Sequence, residues 1–169
     1  MTRDNVVLIG MPAAGKSTVG VILAKVMGYQ FIDSDLVIQH EEKKLLSQII
    51  EEQGVEGFIQ VENRINSTLD VNHSIIATGG SVVYGREAMK HLGEIGIIVY
   101  IKLDYQTIVK RLGDIKQRGV VLKEGQTLYD IYKERCELYE KYADITIDGR
   151  KLNIEQSVEA IMEQVKNII

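Results

Sequence analysis

The chain has 169 residues, 45% of them hydrophobic and 26% charged, which fits a single globular domain long enough to bury a substantial core. Its formal net charge is −4 and no run of five like charges occurs, which argues against nucleic acid or an anionic membrane as the main partner. No stretch approaches about 18 apolar residues, so no membrane-spanning segment is expected.

The opening Met-Thr-Arg-Asp-Asn lacks the apolar stretch and cleavage site of a signal peptide, so a cytoplasmic protein is expected. It leads into Val6-Val7-Leu8-Ile9, an apolar, β-branched run that predicts a buried strand over about 5–10. Residues 10–18, Gly-Met-Pro-Ala-Ala-Gly-Lys-Ser-Thr, fit the phosphate-loop pattern G-x-x-x-x-G-K-[ST], with Gly10, Gly15, Lys16 and Ser17 at its fixed positions. Val19, Leu23, Val26 and Met27 then recur at helical spacing and predict a helix over about 16–27, ended by Gly28. Strand, glycine loop and helix are the setting in which backbone amides and a helix N-terminus cradle an anion. Lys16 is expected to reach the β- and γ-phosphates of ATP and the Ser17 hydroxyl to hold Mg²⁺. The remaining nucleotide contacts are expected from Gly10, Ala13, Ala14, Gly15 and Thr18.

Tyr29 to Asp33 predicts strand 2, and Asp35 to His40 a short helix. Asp33-Ser34-Asp35 sets two carboxylates two residues apart, on one face if the strand continues through them. Two carboxylates near Mg²⁺ can divide two roles, holding the metal's water shell and orienting or deprotonating an attacking hydroxyl. The alternative is that they are turn and helix-cap residues. Helical patterns follow over about 45–53 and 55–70, broken near Gly54.

Ser74 to Thr78 predicts strand 3, running into Gly79-Gly80-Ser81, where glycines allow a ligand to approach the backbone or simply make the turn into a helix at about 85–92. Gly96 to Ile101 predicts strand 4, and Asp104 a cap for the helix after it. Gly113, Gly119 and Gly125 among charges predict a mobile lid over about 113–125. A long helix over about 126–142 and strand 5 at Asp144 to Asp148 follow. Cys136 in that helix is the only cysteine, so no internal disulfide forms, in keeping with a reducing compartment. Asn153 with Gln156 reads as a capping box for the last helix. Arg111, Arg118 and Arg135 fall in or beside the lid and suit two-pronged recognition of phosphate or carboxylate, although each alone reads as a surface residue.

Strands alternate with helices five times. That predicts a single three-layer α/β domain over 1–169, with a mainly parallel five-stranded sheet and helices on both faces. Ligands of such sheets bind beyond the carboxyl ends of the strands, where Gly10 to Thr18, Asp33, Asp35 and Gly79-Gly80 all fall.

Over nearly its whole length the chain resembles shikimate kinase, of the nucleoside-monophosphate-kinase-like group. The resemblance rests on the phosphate loop, Asp33-Ser34-Asp35, the segment Gly54 to Glu62, Gly79-Gly80, the loop with Arg118, and Arg135 followed by Tyr139 and Ala143-Asp144. It implies transfer of the ATP γ-phosphate to the 3-hydroxyl of shikimate with Mg²⁺, a substrate-binding helical segment over about 33–70, and a monomer. On it, Lys16 contacts phosphates, Ser17 binds Mg²⁺, and Asp33 supports the metal through water. Asp35 binds the substrate hydroxyls and acts as base, and Gly79 and Gly80 line the substrate site. Arg111 lies against adenine, Arg118 swings in with the lid, and Arg135 grips the substrate carboxylate.

Three departures stand out. The family's Phe-Arg-x-x-Glu is here Phe58-Ile59-Gln60-Val61-Glu62, the third glycine of the substrate loop is Ser81, and the lid's Arg-Pro-Leu-Leu is Arg118-Gly119-Val120-Val121. Ile59 removes an arginine that helps bind the carboxylate. Arg64 is about 140° further round an ideal helix and a poor substitute. Three readings follow: a shikimate kinase with an altered site, a kinase of the same fold for another hydroxyl acceptor, and a nucleotide-binding protein with little transfer activity.

Overall fold

The computed structural model describes residues 3–113, 120 and 122–168. Its strands are β1 (Asn5–Ile9), β2 (Gln30–Asp33), β3 (Ser74–Ala77), β4 (Gly96–Lys102) and β5 (Ile145–Asp148). They form one parallel sheet in the order β2-β3-β1-β4-β5. Every residue of β1 and β3 is buried, because these inner strands are covered on both faces. Leu8 pairs with Ala77, and Ala77 with Asp33. The carboxyl ends of β1, β3 and β2 therefore finish in one row, which brings Gly10, Thr78 and Asp33 to the same edge.

Buried Asn5 ties this sheet together at its other end. Its Nδ2 donates to the carbonyls of Val71 (2.9 Å) and Ile95 (2.8 Å), and its Oδ1 accepts from the Ser74 amide at 2.9 Å. All three partners lie at or beside the start of β3 or β4.

The helices are α1 (Lys16–Met27), α2 (Ser34–Glu42), α3 (Leu46–Ser67), α4 (Arg86–Ile95), α5 (Tyr105–Leu112), α6 (Leu128–Tyr142) and α7 (Ile154–Lys166). α1 packs with α7, and α4 packs on α3 and β4. Several ends follow the expected chemistry. Gly28 closes α1 in the left-handed region, Asp104 Oδ1 accepts from the Thr107 amide at 2.8 Å, and Asn153 with Gln156 boxes the start of α7. α6 starts at Leu128, slightly later than the pattern predicts, because Thr127 and Asp130 cap it reciprocally. α3 comprises two helical runs broken at Gly54, whose φ of 72° is not helical, as the pattern predicts. Together α2 and α3 build a small core of their own from Ile38, Ile49, Phe58, Val61 and Ile65. Among the described residues no helix is long and apolar enough to cross a membrane.

Strand 2 ends at Asp33 and a short helix follows, as the pattern predicts, so the condition under which both carboxylates would share a strand face is not met. β2 ends at Asp33, whose Oδ1 accepts from the amides of Asp35 (3.0 Å) and Leu36 (3.4 Å) and so caps α2. Satisfying those free amides starts the helix at Ser34, and Asp35 rides on its first turn rather than beside Asp33 on a strand face.

Candidate active site

The phosphate loop leaves β1 at Gly10, whose φ is 149°; a side chain there would bring Cβ within 2.8 Å of the Ile101 carbonyl oxygen. Gly15 enters α1 with φ of 93° and no side chain caps the helix. The first amides of α1 are therefore left for a ligand, and they carry the positive end of the helix dipole. Gly15, Lys16, Ser17 and Thr18 face a cleft of about 310 Å³ whose other wall is Asp35, Thr78, Gly79 and Gly80. Lys16 is buried, and its ammonium donates to the carbonyls of Gly10 (2.7 Å) and Met11 (2.8 Å). Burial pulls its pKa down to about 8 from 10.5.

Ser17 Oγ donates to Asp33 Oδ2 at 3.5 Å. Among the described residues no three metal-ligating side chains gather. A hydroxyl and one carboxylate beside a phosphate cradle nonetheless fit Mg²⁺, which keeps several waters and takes few protein ligands. On the other side of Gly15, a second cleft of about 390 Å³ runs between Ala14, Leu103, Arg111 and Asn153. The Arg111 guanidinium donates to the Ala13 carbonyl at 3.3 Å.

The wall opposite the phosphate loop is built around Gly79. A Cβ there would fall 2.6 Å from Glu62 Oε1 and 2.9 Å from Asp35 Oδ1. Only a glycine lets both carboxyl groups close over this point. Burial, with Asp33 beside it, raises the pKa of Asp35. Glu62 is 1% exposed. Its Oε2 accepts from Ser81 Oγ at 2.5 Å, and among the described residues its Oε1 has no partner. Burial raises its pKa from 4.5 to about 7. Arg135, on α6, is 3% exposed. It lies over the Tyr84 ring, 5.4 Å from the centroid, and its Nε donates to Tyr84 Oη at 3.4 Å. Among the described residues no carboxylate forms an ion pair with it. Pro12, Asp35, Glu62, Gly79, Gly80 and Arg135 share one cleft.

Of the residues singled out in the sequence, the structure thus brings together the loop, Asp33, Asp35, Gly79, Gly80 and Arg135, with Arg111 at the far end. Arg118 lies outside the described residues, as do 114–119 and 121 of the lid. Arg64 pairs with Glu42 on the surface and takes no part. Glu62 and Tyr84 were missed. Glu62 was legible only as the last letter of Phe58 to Glu62. Tyr139 is buried and also donates to the Gly80 carbonyl at 2.5 Å, which holds the Gly79–Ser81 turn in place.

A family model described as Shikimate kinase matches residues 12–166. The chain is 34% identical to a shikimate kinase of Clostridium botulinum (strain Loch Maree / Type A3), with 96% of each chain covered. It is 33% identical to one of Haemophilus influenzae (strain PittEE), covering 98% of this chain and 94% of the relative. Its fold matches a solved shikimate kinase from Acinetobacter baumannii in complex with shikimate, with a TM-score of 0.89, 29% identity, and coverage of 99% of this chain and 95% of the other. A phosphate cradle, a carboxylate pair and a buried guanidinium at one sheet edge, on a chain matched from residue 12 to 166, place this protein in the shikimate kinase family.

Proposed function

We propose that this protein transfers the γ-phosphate of ATP to the 3-hydroxyl of shikimate. The observation that carries the reading is Arg135, a buried guanidinium without an ion-pair partner among the described residues, facing the same cleft as Asp35. A buried cation without a counter-ion is costly, and an anionic acceptor supplies one. Shikimate offers a carboxylate for Arg135 and hydroxyls for Asp35.

The nucleotide base would lie in the cleft beside Arg111, and the phosphates against Gly10 to Thr18. Mg²⁺, held by Ser17 and through water by Asp33, would neutralise charge on the phosphates. Asp35 orients the acceptor hydroxyl and takes its proton. Its raised pKa makes it a better base than an exposed aspartate. The acceptor oxygen then bonds to the γ-phosphorus as the bond to the β-phosphate oxygen breaks, and ADP leaves. Lys16 and the amides at the start of α1 stabilise the charge that moves onto the phosphates. The role the resemblance gives Arg118, on those phosphates, belongs to the same proposal. So does a cytoplasmic monomer, in keeping with the single thiol of Cys136.

Mg-ATP and shikimate should release ADP and yield a product phosphorylated at the 3-position. Ile59 favours a second reading, an acceptor without the carboxylate. A panel of hydroxylated compounds decides between the two. Nucleotide binding with no shikimate turnover, and turnover of an uncharged member of the panel, would overturn the first in favour of the second.

A further inference from the structure

Ser81 and Arg135 line both the acceptor cleft and a small neighbouring cavity whose wall includes Ile59, Tyr84, Lys123 and Glu134. Ile59 offers only hydrocarbon there. Lys123 reaches across to α3 and pairs with Glu56, Nζ to Oε1 at 2.6 Å. Glu56 and Ile59 are three residues apart on one helix, so their side chains are neighbours. The Lys123 ammonium is therefore held beside position 59. The pair with Glu56 is exposed, 55% on the lysine side and 70% on the glutamate side, and such pairs hold their partners weakly. The anion on the cavity wall, Glu134, already accepts from Tyr84 Oη at 2.5 Å. Among the described residues, Arg135 and Lys123 are the cations that line this cavity.

We propose that Lys123 is the second cation of the acceptor site, exchanging Glu56 for the acceptor's carboxylate while Arg135 holds that carboxylate from the other side. This assignment rests on the shikimate reaction proposed above. The charge that Ile59 omits from α3 is supplied instead from the segment leading into α6. An ammonium is a point charge without the fixed fork of a guanidinium, so it tolerates being delivered from a different direction.

The test measures steady-state kinetics with shikimate and with its methyl ester, which keeps the hydroxyls and loses the charge. Lys123→Gln should raise KM for shikimate about tenfold or more, the range for a charged hydrogen bond. The effect on KM should exceed that on kcat, and the preference for shikimate over the ester should shrink by a similar factor. Ile59→Arg in the Lys123→Gln background should recover most of the loss. An unchanged preference in Lys123→Gln would reduce Lys123 to a surface partner of Glu56 and overturn the assignment. No shikimate turnover by the wild-type protein would overturn the reaction itself, and the assignment with it.

Discussion

Asp33 and Asp35 are joined through the backbone: the carboxylate that ends β2 accepts the amide of Asp35 at 3.0 Å. One oxygen of Asp33 fixes the turn on which Asp35 sits, and the other faces Ser17. The proposed metal side and the proposed acceptor side of the site are thereby set by one residue. Asp35→Asn keeps the size and the helix turn but removes the proposed base. We expect kcat to fall by roughly 10²-fold or more, with ATP affinity nearly unchanged. Titration calorimetry alongside turnover checks both halves, and full turnover would leave Asp35 as no more than a first-turn helix residue.

Lys16 is expected to make nucleotide binding pH-dependent. Its ammonium loses its proton as pH rises through about 8, and a neutral amine no longer attracts phosphates. The ATP dissociation constant should therefore rise above about pH 8 in the wild-type protein, and less so in Lys16→Arg, whose guanidinium stays charged. Lys16→Ala should abolish transfer and weaken ATP binding at every pH. Identical pH profiles for wild type and Lys16→Arg would show that Lys16 does not face the phosphates.

Glu62 gives a stability signature. Its folded-state pKa is raised, from 4.5 to about 7, so the folded state binds its proton more tightly than the unfolded chain does. Stability is then lost as pH rises from about 4.5 to about 7. Glu62→Gln removes that loss. Urea denaturation across this window should show the variant gaining on the wild type by roughly 1–3 kcal/mol towards neutral pH. Parallel profiles would mean that Glu62 ionises in the folded protein as it does in water.

Gly79→Ala tests the close approach at the acceptor site. The new Cβ meets Glu62 Oε1 at 2.6 Å and Asp35 Oδ1 at 2.9 Å, so one carboxyl group must move. The phosphate loop across the cleft does not. We expect a loss of kcat/KM for the acceptor of about tenfold or more, since displacements of this size are costly at a reacting centre, with nucleotide affinity retained. Unaltered acceptor kinetics would place the acceptor elsewhere.

The strands and the convergence of the motifs were legible in the sequence, because each motif follows a strand's carboxyl end and hydrophobic runs such as Val6 to Ile9 mark strands strongly. What escaped the sequence depends on contacts between distant residues. Asp33 reads equally as strand end or helix cap until the free amides of Asp35 and Leu36 are seen to need it. Glu62 looks like any surface glutamate on a helix; only the packing of α3 against the Gly79–Ser81 turn buries it. Tyr139 shows helical spacing whether it merely packs or also bonds Gly80. Asn5, a polar residue at the start of the central strand, gives no local sign that it will gather Val71, Ser74 and Ile95.

The position of β1 also governs how the protein is born. β1 leaves the ribosome first, yet its two neighbours are β3 and β4, with Asn5 opposite Gly96. Until translation has passed Lys102 the central strand has one side unpaired. The nucleotide cradle hangs from that strand and leans on Ile101. A nascent chain therefore carries the whole phosphate-loop sequence long before it can bind a phosphate. Nucleotide cannot template the early stages of folding; it can only stabilise a sheet that has already closed around its first strand.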